Sequence, residues 1–454
     1  MKKKTFISIL LTTTVLMTTG CVSGKYDVPD LRTELNYTRE IQEKFPVNRE
    51  WWTEYGNSGL NRLVDLAIAN NPDYLKAALN IQKELYSLNI KQSDLFPTMT
   101  ASLGASSQKQ LNKGRDSTNN FSGEPALNYE LDLYGKIGDA RDAQEFALKA
   151  TIQDRNSAKL ALVNSVIDLY FNLEYLRDTI NLSKRNVVAY REILNIAEER
   201  FNGGKIDRLE VAQARQSLIS EENALFDAQT QYKEMEQSLR NVLNLKPTDE
   251  LDLRLGSLLT QKPLTINLDA PVAVLANRPD LAATQYRLKK AFSSMKAEEK
   301  NWYPSISLKG AVGSSSEHAK STFDFPYLLG SVSLNLPFLD WNRVKNNVRI
   351  SEADYQIALI DFKDALTQAL NELSYYAFAY EKTLEIYANT QENVLNKADV
   401  TAYYRERYTV GKSDLKDLLE AARSENAGKK DLVKQKYQLI KYENYICKAA
   451  GGKY

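Results

Sequence analysis

The chain is poor in the residues that metal and redox chemistry need. It has one histidine, His318, and two cysteines, Cys21 and Cys447, in 454 residues. The cysteines stand near opposite ends and suggest no disulfide framework. With a single histidine no Cys/His metal cluster can be assembled, and no metal or other cofactor is expected. Neither a nucleophile motif nor a phosphate-cradling glycine loop is present, so no catalytic residue is assigned. An excess of one charge is also lacking: 59 basic residues face 58 acidic ones. That balance gives no electrostatic case for a nucleic-acid partner or an anionic membrane surface. Beyond residue 20 there is no apolar run long enough for a spanning helix. Any membrane crossing must therefore use a closed β-barrel, the only other architecture that satisfies every backbone group in lipid.

The first twenty residues read as a signal peptide. Lys2, Lys3 and Lys4 form its positive region and Phe6 to Leu16 a short apolar core. The segment ends Met17-Thr18-Thr19-Gly20-Cys21, similar to a bacterial lipoprotein signal, in which the cysteine after a small residue is acylated. Thr18 stands where that pattern usually has Leu. An ordinary secretion signal with an incidental cysteine is the alternative. Several acyl chains on Cys21 would anchor the chain stably, at about 0.8 kcal/mol per buried methylene.

Internal repetition is the most informative feature. Pro72-Asp73 precedes Pro97 as Pro279-Asp280 precedes Pro304, at the same spacing and 207 residues apart. The same offset carries Tyr134-Gly135-Lys136 onto Trp341-Asn342-Arg343, Arg200-Phe201 onto Arg407-Tyr408, and Gly204-Lys205 onto Gly411-Lys412. The expected organisation is a signal peptide over 1–20, a lipid-anchored extended segment over 21–57, a first repeat over 58–246, a linker over 247–270 and a second repeat over 271–454. Each half reads as a helix (73–95, 280–302), two short strands, a very long helix, a glycine-containing turn and a second helix. Residues 139–202 and 338–410 hold no Gly and no Pro. The first of these stretches would extend about 100 Å as a helix, a length that points to coiled-coil packing. Leu162, Val166, Leu169, Leu173, Leu176 and Ile180 step by four and three, and their equivalents are Ala369, Leu373, Tyr376, Tyr380, Thr383 and Tyr387.

Between the helices, side chains alternate with period two. Met99, Ala101, Leu103 and Ala105 oppose Thr98, Thr100 and Ser102. Leu127, Tyr129, Leu131 and Leu133 oppose Asn128, Glu130 and Asp132. Ile306 and Leu308 oppose Ser305, Ser307 and Lys309, and Val332, Leu334, Leu336 and Phe338 oppose Ser331, Ser333 and Asn335. In a membrane such strands form a barrel wall, and Phe96, Tyr129, Tyr134, Trp302, Tyr303 and Trp341 would supply its aromatic girdle. Four strands cannot close a barrel, since closed membrane barrels begin at about eight. Two chains would leave a lumen filled by side chains, so a conduit argues for three.

The chain resembles the TolC-like outer-membrane factors, in the lipoprotein subgroup related to OprM and CusC. The residues that carry the likeness are Trp51-Trp52, Asn71-Pro72-Asp73, Tyr129-Glu130-Leu131-Asp132-Leu133-Tyr134-Gly135-Lys136, Asn277-Arg278-Pro279-Asp280, Tyr303-Pro304-Ser305-Ile306-Ser307-Leu308, Leu336-Pro337-Phe338-Leu339-Asp340 and Gly451-Gly452. The resemblance implies a mainly α fold with a small β part: a long antiparallel coiled-coil α-barrel, and four strands per chain contributing to a trimeric twelve-stranded transmembrane barrel. It implies a homotrimer in the outer membrane of a Gram-negative bacterium, extending into the periplasm. Its implied partners are outer-membrane lipid, a periplasmic membrane-fusion adaptor and an inner-membrane pump of the proton-driven RND type. The implied function is a passive exit duct of a tripartite efflux system.

A helix hairpin needs a residue at positive φ, and glycine adopts it without steric cost. Gly204 and Gly411 meet that need, and both would serve as plain caps too. The resemblance carries adaptor docking onto Arg200, Gly203, Gly204, Arg407, Val410 and Gly411, with Gly203 standing where the family often has Val. Asp207 and Glu210 follow the first turn; Asp414, Asp417 and Glu420 follow the second along one helix face. Repeated about a threefold axis these acids would form rings that favour cations; a solvated acidic face is the alternative. By resemblance Asp417 and Glu420 match the constriction acids, and Tyr408 with Glu210 matches a pair that holds the aperture shut. Ser413 replaces the family's neighbouring arginine. Two other readings stay open, a type I protein-secretion duct and a periplasmic coiled-coil scaffold lipoprotein. Five methionines and one histidine give no case for soft-metal relay.

Overall fold

The computed structural model describes residues 26–109, 117–324 and 326–454. Cys21 and the signal segment lie outside the described residues. Among those described, no helix is long and apolar enough to cross a membrane.

In chain order the helices and strands are α1 (Leu31–Glu34), α2 (Arg39–Lys44), α3 (Ser58–Asn70), α4 (Pro72–Ser93), β1 (Thr98–Gln108), β2 (Thr118–Leu131), α5 (Lys136–Asn202), α6 (Arg208–Val242), α7 (Pro279–Glu299), β3 (Ser305–Ser316), β4 (Tyr327–Asn335), α8 (Trp341–Thr409) and α9 (Leu415–Ala449). The 207-residue offset reappears in coordinates. Helices α4 and α7 start 207 residues apart, as do β1 and β3, and as do α6 and α9. Helix ends repeat in detail. Gly204 and Gly411 take φ of 69° and 73°, and Asn244 and Gly451, again 207 apart, take 56° and 78°. Each of these four ends closes with the same bond between backbone groups five residues apart: Lys205 N–H to Arg200 O, Leu245 to Arg240, Lys412 to Arg407 and Gly452 to Cys447, at 2.8–2.9 Å. This is the six-to-one bond of a Schellman cap.

Several local expectations are corrected. The segment 26–57, expected to be extended, contains α1, α2 and a 3₁₀ turn at Trp51–Tyr55. The expected helices 73–95 and 280–302 stop at Ser93 and Glu299, the latter continuing as a 3₁₀ turn, Lys300–Trp302. Strand β2 runs over Thr118–Leu131 where 127–133 was expected, and β1 and β3 run longer than their alternating cores. Strand β4 ends at Asn335, so Leu336 and Phe338 leave the sheet; Pro337 opens a 3₁₀ turn there, having no N–H for a ladder.

The chain divides into two compact units. Among the described residues, the first holds those within 26–31, 79–153 and 282–365; the second holds 32–78, 154–281 and 366–454. Helices α4, α5, α7 and α8 each have residues in both.

In the first unit the four strands form one antiparallel sheet in the order β1-β2-β3-β4. Direct partners lie on one face. Met99 pairs with Leu127, Tyr129 with Leu308, Leu308 with Val332, and Ile306 with both Leu131 and Leu334. The opposite face carries Thr98 against Asn128, Asn128 against Lys309, and Lys309 against Ser331. The apolar face is bare: Met99 and Leu103 are each 82% exposed and Leu328 83%. At the strand ends Tyr134 stacks on Tyr303 with centroids 4.6 Å apart, and Trp302 meets Trp341 at 5.6 Å. On the polar face Lys309 pairs with Glu124 at 2.6 Å.

In the second unit the main core gathers Trp51, Trp52, Leu60, Val163, Val166, Ile167, Tyr170 and Phe171 with Leu239, Val433 and Ile440. The heptad stripe behaves as its spacing predicts. Leu162, Val166, Leu173 and Leu176 are buried, as are Ala369, Leu373, Tyr380 and Thr383 in the second copy. The second repeat also carries a partly buried ion network. Arg278, 11% exposed, pairs with Asp280 at 2.8 Å and Glu372 at 2.7 Å and donates to Ala449 O at 3.1 Å.

Candidate functional site: the paired hairpin ends

The α5–α6 and α8–α9 hairpins end side by side. Both turns form because a left-handed glycine terminates the first helix and an aspartate opens the second. Asp207 caps α6 directly, accepting from Leu209 N–H at 2.8 Å and Glu210 N–H at 3.4 Å. Asp414 holds the same position before α9 without a side-chain cap bond. A shared apolar plug lies beneath, built from Val187, Tyr190, Leu194, Ala197, Leu218, Leu415, Leu418 and Leu419.

The two ends are alike in sequence and unlike in contact. Arg200 reaches across to the other hairpin. Its guanidinium donates to Tyr408 O at 3.1 Å and stands over the Tyr408 ring, 4.5 Å from the centroid. Its equivalent, Arg407, stays on its own hairpin and donates to Tyr403 Oη at 3.1 Å and Lys412 O at 3.0 Å. Tyr408 is 1% exposed, whereas its equivalent Phe201 is 43% exposed. The Tyr408 hydroxyl is buried without a hydrogen-bond partner among the described residues. Burial raises its pKa above the ordinary tyrosine value; Arg200 opposes the rise and Glu210 adds to it. Burial likewise raises the Glu210 carboxyl, with Arg200 pulling it down and Asp207 and Asp414 pushing it up.

A cavity of about 600 Å³ opens between the ends, lined by Arg200, Lys205, Glu210, Tyr404, Tyr408 and Asp417 among others. The structure thus brings Arg200, Glu210, Tyr408, Gly411, Asp414 and Asp417 together. Gly411 lies against Arg200, whose Nη2 would be 3.8 Å from a Cβ at that position. Gly203, Gly204 and Val410 sit at the exposed turns. Glu420 is exposed and does not line the cavity, and Asp417 is half-buried. Among the described residues no hydrogen bond joins Tyr408 to Glu210; the nearby carboxylate only disfavours ionisation of the phenol. Sequence reasoning missed the Arg200–Tyr408 crossing, because it depends on the rotational phase of two separate hairpins. The one available signal was the exchange of Phe201 for Tyr408 at equivalent positions. Among the described residues no group of acidic, Cys or His side chains could hold a metal ion.

The family model for outer membrane efflux proteins matches the chain twice, over residues 63–245 and 270–452. The Toxin and drug export protein A of Aggregatibacter actinomycetemcomitans is 37% identical over 453 residues, covering 100% of this chain and 98% of the relative. Among solved structures, the outer-membrane channel OprN superposes with a TM-score of 0.83 at 20% identity, covering 94% of this chain and 98% of OprN. The Campylobacter jejuni CmeC outer-membrane channel gives a TM-score of 0.81 at 24% identity, covering 94% and 92%. The two structures share the fold: long helices with a small four-stranded sheet. The chain belongs to the outer membrane efflux protein family, the outer-membrane channel components of tripartite efflux systems.

Proposed function

We propose that three copies of this chain form a passive exit duct. The sheet carries the reading. It has one bare apolar face, one polar face and two free edges, β1 and β4, so copies joined edge to edge would close a wall with lipid outside and water inside. Eight strands would leave too narrow a lumen, and twelve give a conduit. In this reading the hairpin ends meet a periplasmic membrane-fusion adaptor through Arg200, Gly203, Gly204, Arg407, Val410 and Gly411. Asp207, Glu210, Tyr408, Asp414, Asp417 and Glu420 surround the aperture. The non-equivalent contacts of Arg200 and Arg407 support a division of labour: Arg200 ties the two hairpins of one chain, and Arg407 is left for its surroundings. Energy comes from an RND-type inner-membrane pump, and Cys21 supplies the lipid anchor.

Small toxic molecules are the proposed cargo. A polypeptide cargo is the second reading, supported by the relative whose name joins toxin with drug export. Deleting the chain and measuring both susceptibility to a panel of toxic compounds and the secreted proteins separates the two. Increased susceptibility alone supports small-molecule efflux, a missing secreted polypeptide supports the second, and the absence of both effects would refute the duct.

A further inference from the structure

The connector between the repeats has little secondary structure, so its backbone must find partners elsewhere. Side chains of α5 and α9 provide them. Tyr170 Oη donates to Arg254 O at 2.7 Å and Arg177 to Leu255 O at 2.5 Å. Asp178 accepts from Ser257 Oγ and Leu258 N–H, both at 2.9 Å. Glu174 on α5 accepts from Gly256 N–H at 2.7 Å, and Glu443 on α9 from Leu264 N–H at 3.0 Å. One helix belongs to each repeat, so the connector straps α5 to α9.

Two of these fasteners are unusual. Glu174 is 1% exposed and Glu443 is fully buried. Each has a second carboxyl oxygen that is buried and, among the described residues, without a hydrogen-bond partner. An ionised carboxylate in that setting leaves charge uncompensated, whereas a neutral acid does not. The groups facing Glu443 are Tyr55, Tyr380, Cys447, Lys436 and Lys453. Neither lysine pairs with it: Lys453 is bound to Glu54, and Lys436 stands over the Tyr387 ring, 5.5 Å from its centroid. Glu174 is faced by Tyr170, Arg177 and Asp178. The repeat gives an internal contrast. Glu236, which precedes Glu443 by 207 residues, pairs with Lys233 at 2.9 Å and Arg240 at 3.0 Å. In the second copy those cations are replaced by Ile440 and Cys447.

We propose that Glu174 and Glu443 form a pH-sensitive clasp on the connector, holding it across α5 and α9 while neutral and loosening it on ionisation. Burial pushes the carboxyl of Glu174 up to about 7 and that of Glu443 up to about 8. Both lie above the ordinary value of a free glutamate, so the stabilisation is complete below about pH 4.5. It is lost as pH rises, fully so once the folded values are passed.

The test is hydrogen exchange by mass spectrometry on the full chain in detergent between pH 6 and pH 9, corrected for intrinsic rates. Protection of the Gly256 amide should fall on the order of tenfold, and that of Leu264 on the order of a hundredfold, from linkage to each acid. Glu174→Gln and Glu443→Gln should each flatten the profile of the amide they bind, and Glu236→Gln should leave both unchanged. A flat wild-type profile overturns the proposal even if a variant fails to fold, as does a slope that survives in both Gln variants.

Discussion

At the scale of single residues, left-handed positions set hairpin ends and closures with unequal tolerance. Gly204 has φ of 69° and nothing within 4 Å of a Cβ, so only backbone strain opposes alanine there. Gly204→Ala should cost about 1 kcal/mol. Gly451 has a similar φ of 78°, but its Cβ would lie 2.7 Å from Asn277 O. Gly451→Ala should therefore cost clearly more, and thermal unfolding in detergent should rank the two in that order. Equal losses would show that packing at the C-terminal closure is slack. Arg278 makes a different residue-scale case. Arg278→Ala strands Asp280, Glu372 and the Ala449 carbonyl, for a loss of about 1.5–3 kcal/mol, the range for hydrogen bonds to charged groups. Chemical denaturation with an unchanged midpoint would contradict it. Residue types alone could not have found the buried glutamates. Glu174 and Glu443 read as surface acids on amphipathic helices, and only the path of the connector shows that they are inside.

At the scale of elements, most of the architecture was legible because duplication doubles every signal. The Pro72/Pro279 and Gly204/Gly411 pairs fixed helix starts and turns to within a residue or two of α4, α7, α5 and α8. The strands were less legible. The alternation was followed only from Leu127, yet Gly123 and Pro125 also sit within β2 and pair with Leu103 and Ala101. Proline is tolerated where it gives no ladder bond, and glycine where a bulky ring must come close, as Phe323 does over Gly123. The facing of the strands makes a sharp prediction. Val332→Arg, on the bare apolar face, should reduce the yield of heat-resistant assembled oligomer in outer-membrane extracts, with a cost of about 2–4 kcal/mol if it lies near mid-membrane. Ser331→Arg, one residue away on the polar face, should assemble normally. The opposite result would invert the wall.

At the scale of the whole molecule, conduction should be set at the hairpin ends. Asp417→Ala with Glu420→Ala should lower cation preference in planar bilayers and weaken block by multivalent cations; unchanged single-channel behaviour would remove these acids from the aperture. Arg200→Ala should raise the open probability, because Arg200 ties its own hairpin to Tyr408 on the second. Arg407→Ala leaves that tie intact, so a larger effect from Arg407 would assign the restraint to contacts between copies. The crossing of Arg200 was invisible in the sequence. A helical repeat gives the face of each helix but not its rotation against another hairpin.

The sheet has one further consequence. Four antiparallel strands leave β1 and β4 running in opposite directions, so when copies meet edge to edge every seam is antiparallel, like every joint within a copy. An odd strand number would force a parallel seam between neighbours. Even parity therefore makes the seams indistinguishable from interior joints and gives them no power to count: two, three or four copies could be stitched by identical bonds. Something other than the direction of the seam bonds must decide the number of copies, such as the tilt and stagger with which the strands close. A substitution that alters the stoichiometry should accordingly be sought among residues that change tilt or stagger, not among the seam bonds themselves.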